Sequence, residues 1–268
     1  MKIRILTDNH TFIDQYYLGE PGFSLLFEEE GRKYLFDTGY SDVFLKNAEK
    51  MGIGMKDLSA VILSHGHNDH TGGLRYLLPY VKETVLIAHP DVFEEKTDMD
   101  LPVGCPVAEE ELRKSFREVL LSKEPVFLAK DLCFLGEVPR YYGHEGKGVG
   151  LHKREGSFVH DPCPDDSGMA YIGKDGLWVF TGCAHSGIMN TIRHAKEVTG
   201  ADTVKGVLGG FHLMEEGEEL KRTIELFSEE KVEKLYPCHC VSLRAKAEMI
   251  RAGLDIYETG VGLTLELE

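Results

Sequence analysis

Residues 63–73 read LSHGHNDHTGG. Three histidines and an aspartate, His65, His67, Asp69 and His70, fall within six positions, with one glycine inside the run and two after it. The stretch leading in, LSAVILSH, is a near-continuous apolar run and reads as a buried strand, so the cluster leaves that strand at its C-terminal end. A tight, glycine-flanked turn there can aim His65 and His67 at one point and the Asp69/His70 pair at a second. Imidazole and carboxylate together suit zinc, manganese or iron. The pattern H-x-H-x-D-H arises by accident on the order of once per thousand chains of this composition. An exposed turn has no need of it, and a packed core would not tolerate it.

Further histidines repeat the same context. His185, with Cys183, follows an expected strand at 177–181 in TGCAHSG; His212 follows one at 203–208 in GGFHL; His239 follows one at 232–236 in LYPCHC. Singly, each reads as a satisfied polar residue. As a set they match the rule that open α/β-type sheets place their chemistry at the C-terminal ends of strands. Cys238 and Cys240 flank His239 either as a C-x-C metal clip or as one buried and one idle thiol.

The remaining elements follow from local pattern. A strand at 2–7 precedes a hairpin in FSLLFEEEGRKYLFDTG. Residues 42–51 have helical spacing, with Gly52 as the stop. Residues 76–81 read as helical, and TVLIAH (84–89) as a buried strand. A helix is expected over 107–121, with short strands near 125–128 and 132–135. The stretch from about 90 to 165 is otherwise irregular, an insertion or substrate-facing region. MAYIGKDGLWVFTG (169–182) is a hairpin turning on Asp175-Gly176. Helices at 187–199, 216–230 and 242–252 alternate with strands TVKGVLG and KVEKLYP, before a last strand pair. Two runs of hairpins, each leading into strands alternating with helices, predict one α/β domain of layered sandwich form with helices outside.

Composition narrows the function. The 268 residues are 42% hydrophobic and 28% charged, as in globular proteins with a sizeable core. Thirty Lys+Arg against 45 Asp+Glu give a net charge of −15, which disfavours nucleic acid as a partner. No run approaches a membrane span, the N-terminus lacks a signal-peptide pattern, and six scattered cysteines suit reduced thiols in a cytoplasmic protein.

SHGHNDHTGG resembles the H-x-H-x-D-H signature of the metallo-β-lactamase fold superfamily. FDTG (36–39) resembles that family's aspartate loop, which braces the histidine loop, and LWVFTG and LYPCHC resemble the strands carrying its later ligands. The combination of TDN, GFSLLFEEEG, FDTG, TGCAHSGI, GGFHL and PCHC is similar to a narrower group that includes the archaeal dihydropterin–ribofuranosylaminobenzene phosphate synthase of methanopterin synthesis. The resemblance implies a four-layer αββα sandwich with a site for two divalent metals, zinc first, with manganese or iron as alternatives. His65 and His67 would bind one metal, and Asp69, His70 and His239 the other. The chain departs from the superfamily pattern in two places. Thr181-Gly182-Cys183 stands where a bridging Asp is common, and DDSG (165–168) where a third histidine is common. For the open ligand positions the ranking is His185, then His212 and Asp166, then Cys183.

At such a centre a water with lowered pKa would supply hydroxide at neutral pH. Asp69 would orient that nucleophile as well as ligate, and His212, if not a ligand, would meet a developing oxyanion or a phosphate. Asp37 would orient a ligand imidazole. Asn9, His144 and Lys153 are weaker candidates for contact with an anionic substrate. The implied activity is hydrolysis of an ester, phosphoester, lactone or amide in a small molecule, phosphorylated ones included. A transferase joining a pterin to an aminobenzene ribose phosphate is the alternative, for which Arg140, Lys147, Lys153 and Arg154 would grip phosphate. A di-iron oxidoreductase ranks lower, since it normally needs a carboxylate where His67 stands.

Overall fold

The apolar run ahead of the histidine cluster forms the strand Leu58–Ile62, buried in a seven-stranded sheet. The computed structural model describes residues 1–268 and divides into two compact units. Unit 1 comprises 1–123, 150–161 and 260–267; unit 2 comprises 124–149, 162–259 and Glu268.

In unit 1 the sheet runs Thr264–Glu266, Lys2–Thr7, Ser24–Glu29, Arg32–Phe36, Leu58–Ile62, Val85–Ala88, Glu118–Leu121. The first three pairings are antiparallel and the last three parallel. The parallel register sets Phe36 opposite Ile62, so the segments that follow them, with Asp37 and with Ser64 to His70, leave the same end of the sheet. Leu26, Leu35, Val61 and Leu86 share a core with Phe44 and Ala48 of helix Val43–Lys50, Leu74 and Leu77 of helix Leu74–Leu77, and Leu112 of helix Glu109–Ser115. Leu25, Phe27, Phe36 and Ile62 are fully buried as well. Burial on both faces explains why Leu58–Ile62 and Val85–Ala88 are nearly continuous in apolar residues instead of alternating.

The helix expected over 107–121 stops at Ser115, and Glu118–Leu121 is a strand parallel to Val85–Ala88. Phe116 is already extended. Val119 and its neighbours are better used completing the open side of the Val85–Ala88 strand, which needs partners for its backbone groups. The stretch expected to be irregular also holds a small sheet, Ser157–His160, Leu151–Arg154, Lys96–Asp98, Leu101–Pro102. It is tied by a buried ion pair between Lys96 and Asp161 at 2.5 Å.

Unit 2 contains a six-stranded sheet: Lys234–Pro237, Val204–Gly209, Gly176–Thr181, Gly168–Gly173, Leu132–Phe134, Val126–Phe127. The hairpin turning on Asp175-Gly176 is present. The three strands Gly176–Thr181, Val204–Gly209 and Lys234–Pro237 are parallel, with Thr181, Gly209 and Pro237 in register. TGCAHSG, GGFHL and CHC therefore leave one end of one sheet. Helices Ile188–Thr199, Glu218–Glu229 and Leu243–Arg251 bury Ile192, Phe227 and Met249 against Val179, Val207 and Leu235. No helix in the chain is long and apolar enough to cross a membrane.

Candidate metal centre

In unit 1 the chain turns at Asp37, whose backbone is left-handed with φ 58°. That turn brings its carboxylate, fully buried, back onto the histidine loop. Its oxygens accept from the Ser64 main-chain N–H at 2.7 Å, the Ser64 hydroxyl at 2.6 Å and His70 Nδ1 at 2.7 Å. The loop is fastened a second time where Thr38 donates its N–H and its hydroxyl to the His70 carbonyl, at 2.7 and 3.0 Å. The paired glycines are a steric requirement. A Cβ at Gly72 would stand 2.2 Å from the Tyr40 carbonyl oxygen, and one at Gly73 2.1 Å from that of Thr38.

These bonds dictate where the imidazole lone pairs point. A carboxylate only accepts, so His70 carries its proton on Nδ1 and presents Nε2 as a lone pair. That Nε2 faces an acceptor, Asp69 Oδ2, at 3.7 Å. Because the Ser64 hydroxyl proton goes to Asp37, its oxygen accepts from His65 Nδ1 at 2.9 Å. His65 Nε2 is then a lone pair too, and it meets His67 Nδ1 at 3.0 Å. The loop thus presents two pairs of converging donor atoms, His65/His67 and Asp69/His70, on side chains that are buried apart from the half-buried Asp69. The Asp69 carboxylate and the His70 Nε2 lone pair repel unless a cation lies between them, and imidazole with carboxylate fits a borderline divalent ion. The residues present fit the group that the sequence implies. Ser64 is the partner that sequence reading passed over. Its place directly before His65 was the available signal.

In unit 2 the strand-end loops also use left-handed backbone at residues other than glycine: Ala184 (φ 56°), His212 (φ 50°) and His239 (φ 51°). His185 is buried, its ring 4.4 Å from that of His212 between centroids. The sulfur of Cys183 lies within 4.8 Å of a ligand nitrogen of His239, and also within that distance of the ligand atoms of His212 and Cys240. Both Cys238 and Cys240 are buried, so neither is idle in the sense of exposed. Burial opposes ionisation of the Cys240 thiol. Hydrogen bonds with Cys183 and His212, and the His239 and His212 imidazoles nearby, nevertheless hold it well below the ordinary thiol range. His212 is raised by the same contact: burial alone would lower it, and the Cys240 sulfur outweighs that. Asp166 is completely buried and pushed up to about 6 by that burial, against the pull of its bonds to Ser186. Its Oδ2 accepts the Ser186 N–H at 2.9 Å, bracing the TGCAHSG loop, while its Oδ1 is buried without a hydrogen-bond partner.

The weaker candidates scatter. Asn9 is exposed. His144 is half-buried against Tyr142, with ring centroids 5.9 Å apart. Lys153 bonds Glu95 at 2.7 Å, and Arg154 bonds Asp91 at 2.7 Å. Arg140 spends its guanidinium on the carbonyls of Val138, Gly146, Pro162 and Cys163. Arg140, Lys153 and Arg154, among the cations that would grip a phosphate, are thus already engaged.

Among known proteins, this chain is 29% identical over 262 residues to the 7,8-dihydropterin-6-methyl-4-(β-D-ribofuranosyl)-aminobenzene-5′-phosphate synthase of Methanocaldococcus jannaschii, an alignment covering 92% of this chain and 89% of the synthase. It is 32% identical to an uncharacterized protein of the same organism, covering 95% and 96% of the two chains. The crystal structure of Tm1679, described as a metal-dependent hydrolase of the β-lactamase superfamily, superposes with a TM-score of 0.87 at 32% identity, covering 99% of this chain and 98% of that one. Residues 18–239 match the family model of the metallo-β-lactamase superfamily. A buried loop of converging imidazoles and carboxylate, a match over most of its length and a fold shared end to end with Tm1679 together make this chain a member of the metallo-β-lactamase superfamily.

Proposed function

We propose that this protein is a metal-dependent hydrolase acting on an ester, phosphoester, lactone or amide bond of a small molecule. The observation that carries the reading is the pair of facing donor sets in the histidine loop. Asp37 and Ser64 fix the tautomers of His70 and His65, so each Nε2 is aimed before any ion arrives. In this reading His65, His67, Asp69 and His70 hold two divalent ions, zinc first, with His185 and His239 completing the ligand set. Bound there, such ions lower the pKa of water and polarise a carbonyl or phosphoryl oxygen. The chain's own part is to keep the site aligned: Asp69, about a third exposed at its side chain, is the acidic group able to orient the attacking water and take its proton.

The likeness to the M. jannaschii synthase supports a second reading, transfer in place of hydrolysis. It needs a grip on phosphate, and the commitment of Arg140, Lys153 and Arg154 to carbonyls and carboxylates weighs against it.

The deciding experiment is metal analysis alongside turnover on a panel of ester, phosphodiester, lactone and amide substrates. His67→Ala and Asp69→Ala should each abolish metal-dependent turnover while circular dichroism stays native. Wild type should carry about two ions, and His185→Ala one or none. Full activity in both loop variants would sink the dinuclear reading.

A further inference from the structure

Cys183, His212 and Cys240 stand just past three adjacent parallel strands of unit 2, and their ligand atoms all lie within 4.8 Å of one another. The trio is built, not merely near. The His212 main-chain N–H donates to Cys240 Sγ at 3.3 Å, which fixes the sulfur. Residue 210 is glycine, and a Cβ there would stand 2.5 Å from the same sulfur. His212 Nδ1 is buried with no hydrogen-bond partner, which a core histidine seldom tolerates. Ala184 and His212 hold left-handed backbone that is strained for a residue other than glycine. A passive core corner has no reason to retain all of these together.

We propose that Cys183, His212 and Cys240 form a binding site for one thiophilic metal ion, made wholly from unit 2 residues. Two sulfurs and an imidazole are the ligand set of a soft or borderline cation such as zinc or cadmium, and three protein ligands leave a fourth position for water. Around tetrahedral zinc, with Zn–S about 2.3 Å and Zn–N about 2.0 Å, ligand atoms stand roughly 3.5–3.8 Å apart. In this structure the three ligand atoms lie within 4.8 Å of one another. Binding releases the thiol protons to solvent, and nothing is oxidised. The site does not depend on the hydrolase reading, because the histidine loop contains no thiol.

The test is a cadmium titration of the reduced full-length protein in the presence of a competing chelator. Bound metal is followed by mass spectrometry and thiolate ligation by the sulfur-to-cadmium charge-transfer absorption. Cys240→Ser should bind one ion fewer than wild type and lose most of that absorption. Equal stoichiometry in the two proteins, or no thiolate absorption in wild type, overturns the proposal. If Cys240→Ser does not fold, His212→Asn serves instead, since it keeps both thiols. Its cadmium affinity should fall by about ten-fold or more, since even losing a partner behind a ligand costs about that much, and an unchanged affinity overturns the proposal equally.

Discussion

Asp37 shows how much one carboxylate can decide. It accepts three hydrogen bonds and thereby sets the tautomers of two imidazoles. Asp37→Asn isolates that role, because asparagine is also at home at φ near +58°. Its amide presents an N–H₂ to groups that are themselves donors, so the variant should lose about 3 kcal/mol of stability without metal and about ten- to a hundred-fold in zinc affinity. Urea unfolding of chelated protein and a zinc titration measure the two; unchanged values would remove Asp37 from its bracing role. Glu145 makes a different prediction. It is buried and accepts the N–H groups of Met189 and Asn190, and burial pushes it up to about 7 despite those bonds. A carboxyl raised in the fold favours the folded state below its unfolded pKa of about 4.5 and loses that contribution as pH rises to about 7. Relative to Glu145→Gln, wild-type stability should therefore fall by on the order of 2–3 kcal/mol between about pH 4.5 and 7.5. Parallel stability curves for the two proteins across that window would refute it.

At the scale of elements, the turn TGG after the histidines is where packing leaves least freedom. Gly73→Ala would force a Cβ to 2.1 Å from the Thr38 oxygen and 2.7 Å from the Phe44 ring. Thr38 cannot retreat without disturbing the bonds it makes to His70, and the Phe44 ring is fully buried in the core. The expected cost is about 3 kcal/mol or more, whereas Gly54→Ala, with nothing within 4 Å, should stay within about 0.5 kcal/mol. Denaturant midpoints for the pair check this, and equal midpoints would mean the loop is looser than described. The strands around this turn were legible because VLIA is apolar at every position and LSAVI at all but Ser59, the pattern of a sheet covered on both sides. Glu118–Leu121 was not. Its residues suit helix or strand, and the unpaired side of Val85–Ala88, a tertiary fact, decided between them. Nor does any residue type announce the left-handed turns at Ala184, His212 and His239, which aim the unit 2 candidates. The sequence marked which histidines follow strands, and only backbone geometry shows Cys183 lying within reach of both His239 and Cys240.

For the whole molecule, the facing acceptors of Asp69 and His70 and the net charge of −15 act in the same direction. Without a cation the folded chain holds the His70 Nε2 lone pair against the Asp69 carboxylate inside an acidic protein, and folding is what brings them together. An ion that binds the folded chain and not the unfolded one adds RT ln(1 + [L]/Kd) to stability, about 2.7 kcal/mol at a hundred times Kd. For a chain of this size each kcal/mol corresponds to roughly 2–4 °C, so zinc added after chelation should raise the unfolding temperature by about 5–10 °C. Calorimetry is the suitable probe, because two units and bound metal need not melt in one transition. The His65→Ala/His67→Ala double variant should lose at least half of that increment, since it removes one of the two facing pairs and leaves Asp69 and His70 in place. An increment of full size in that variant would mean the stabilising ion binds outside the histidine loop, with the thiol-bearing loops of unit 2 the next place to measure.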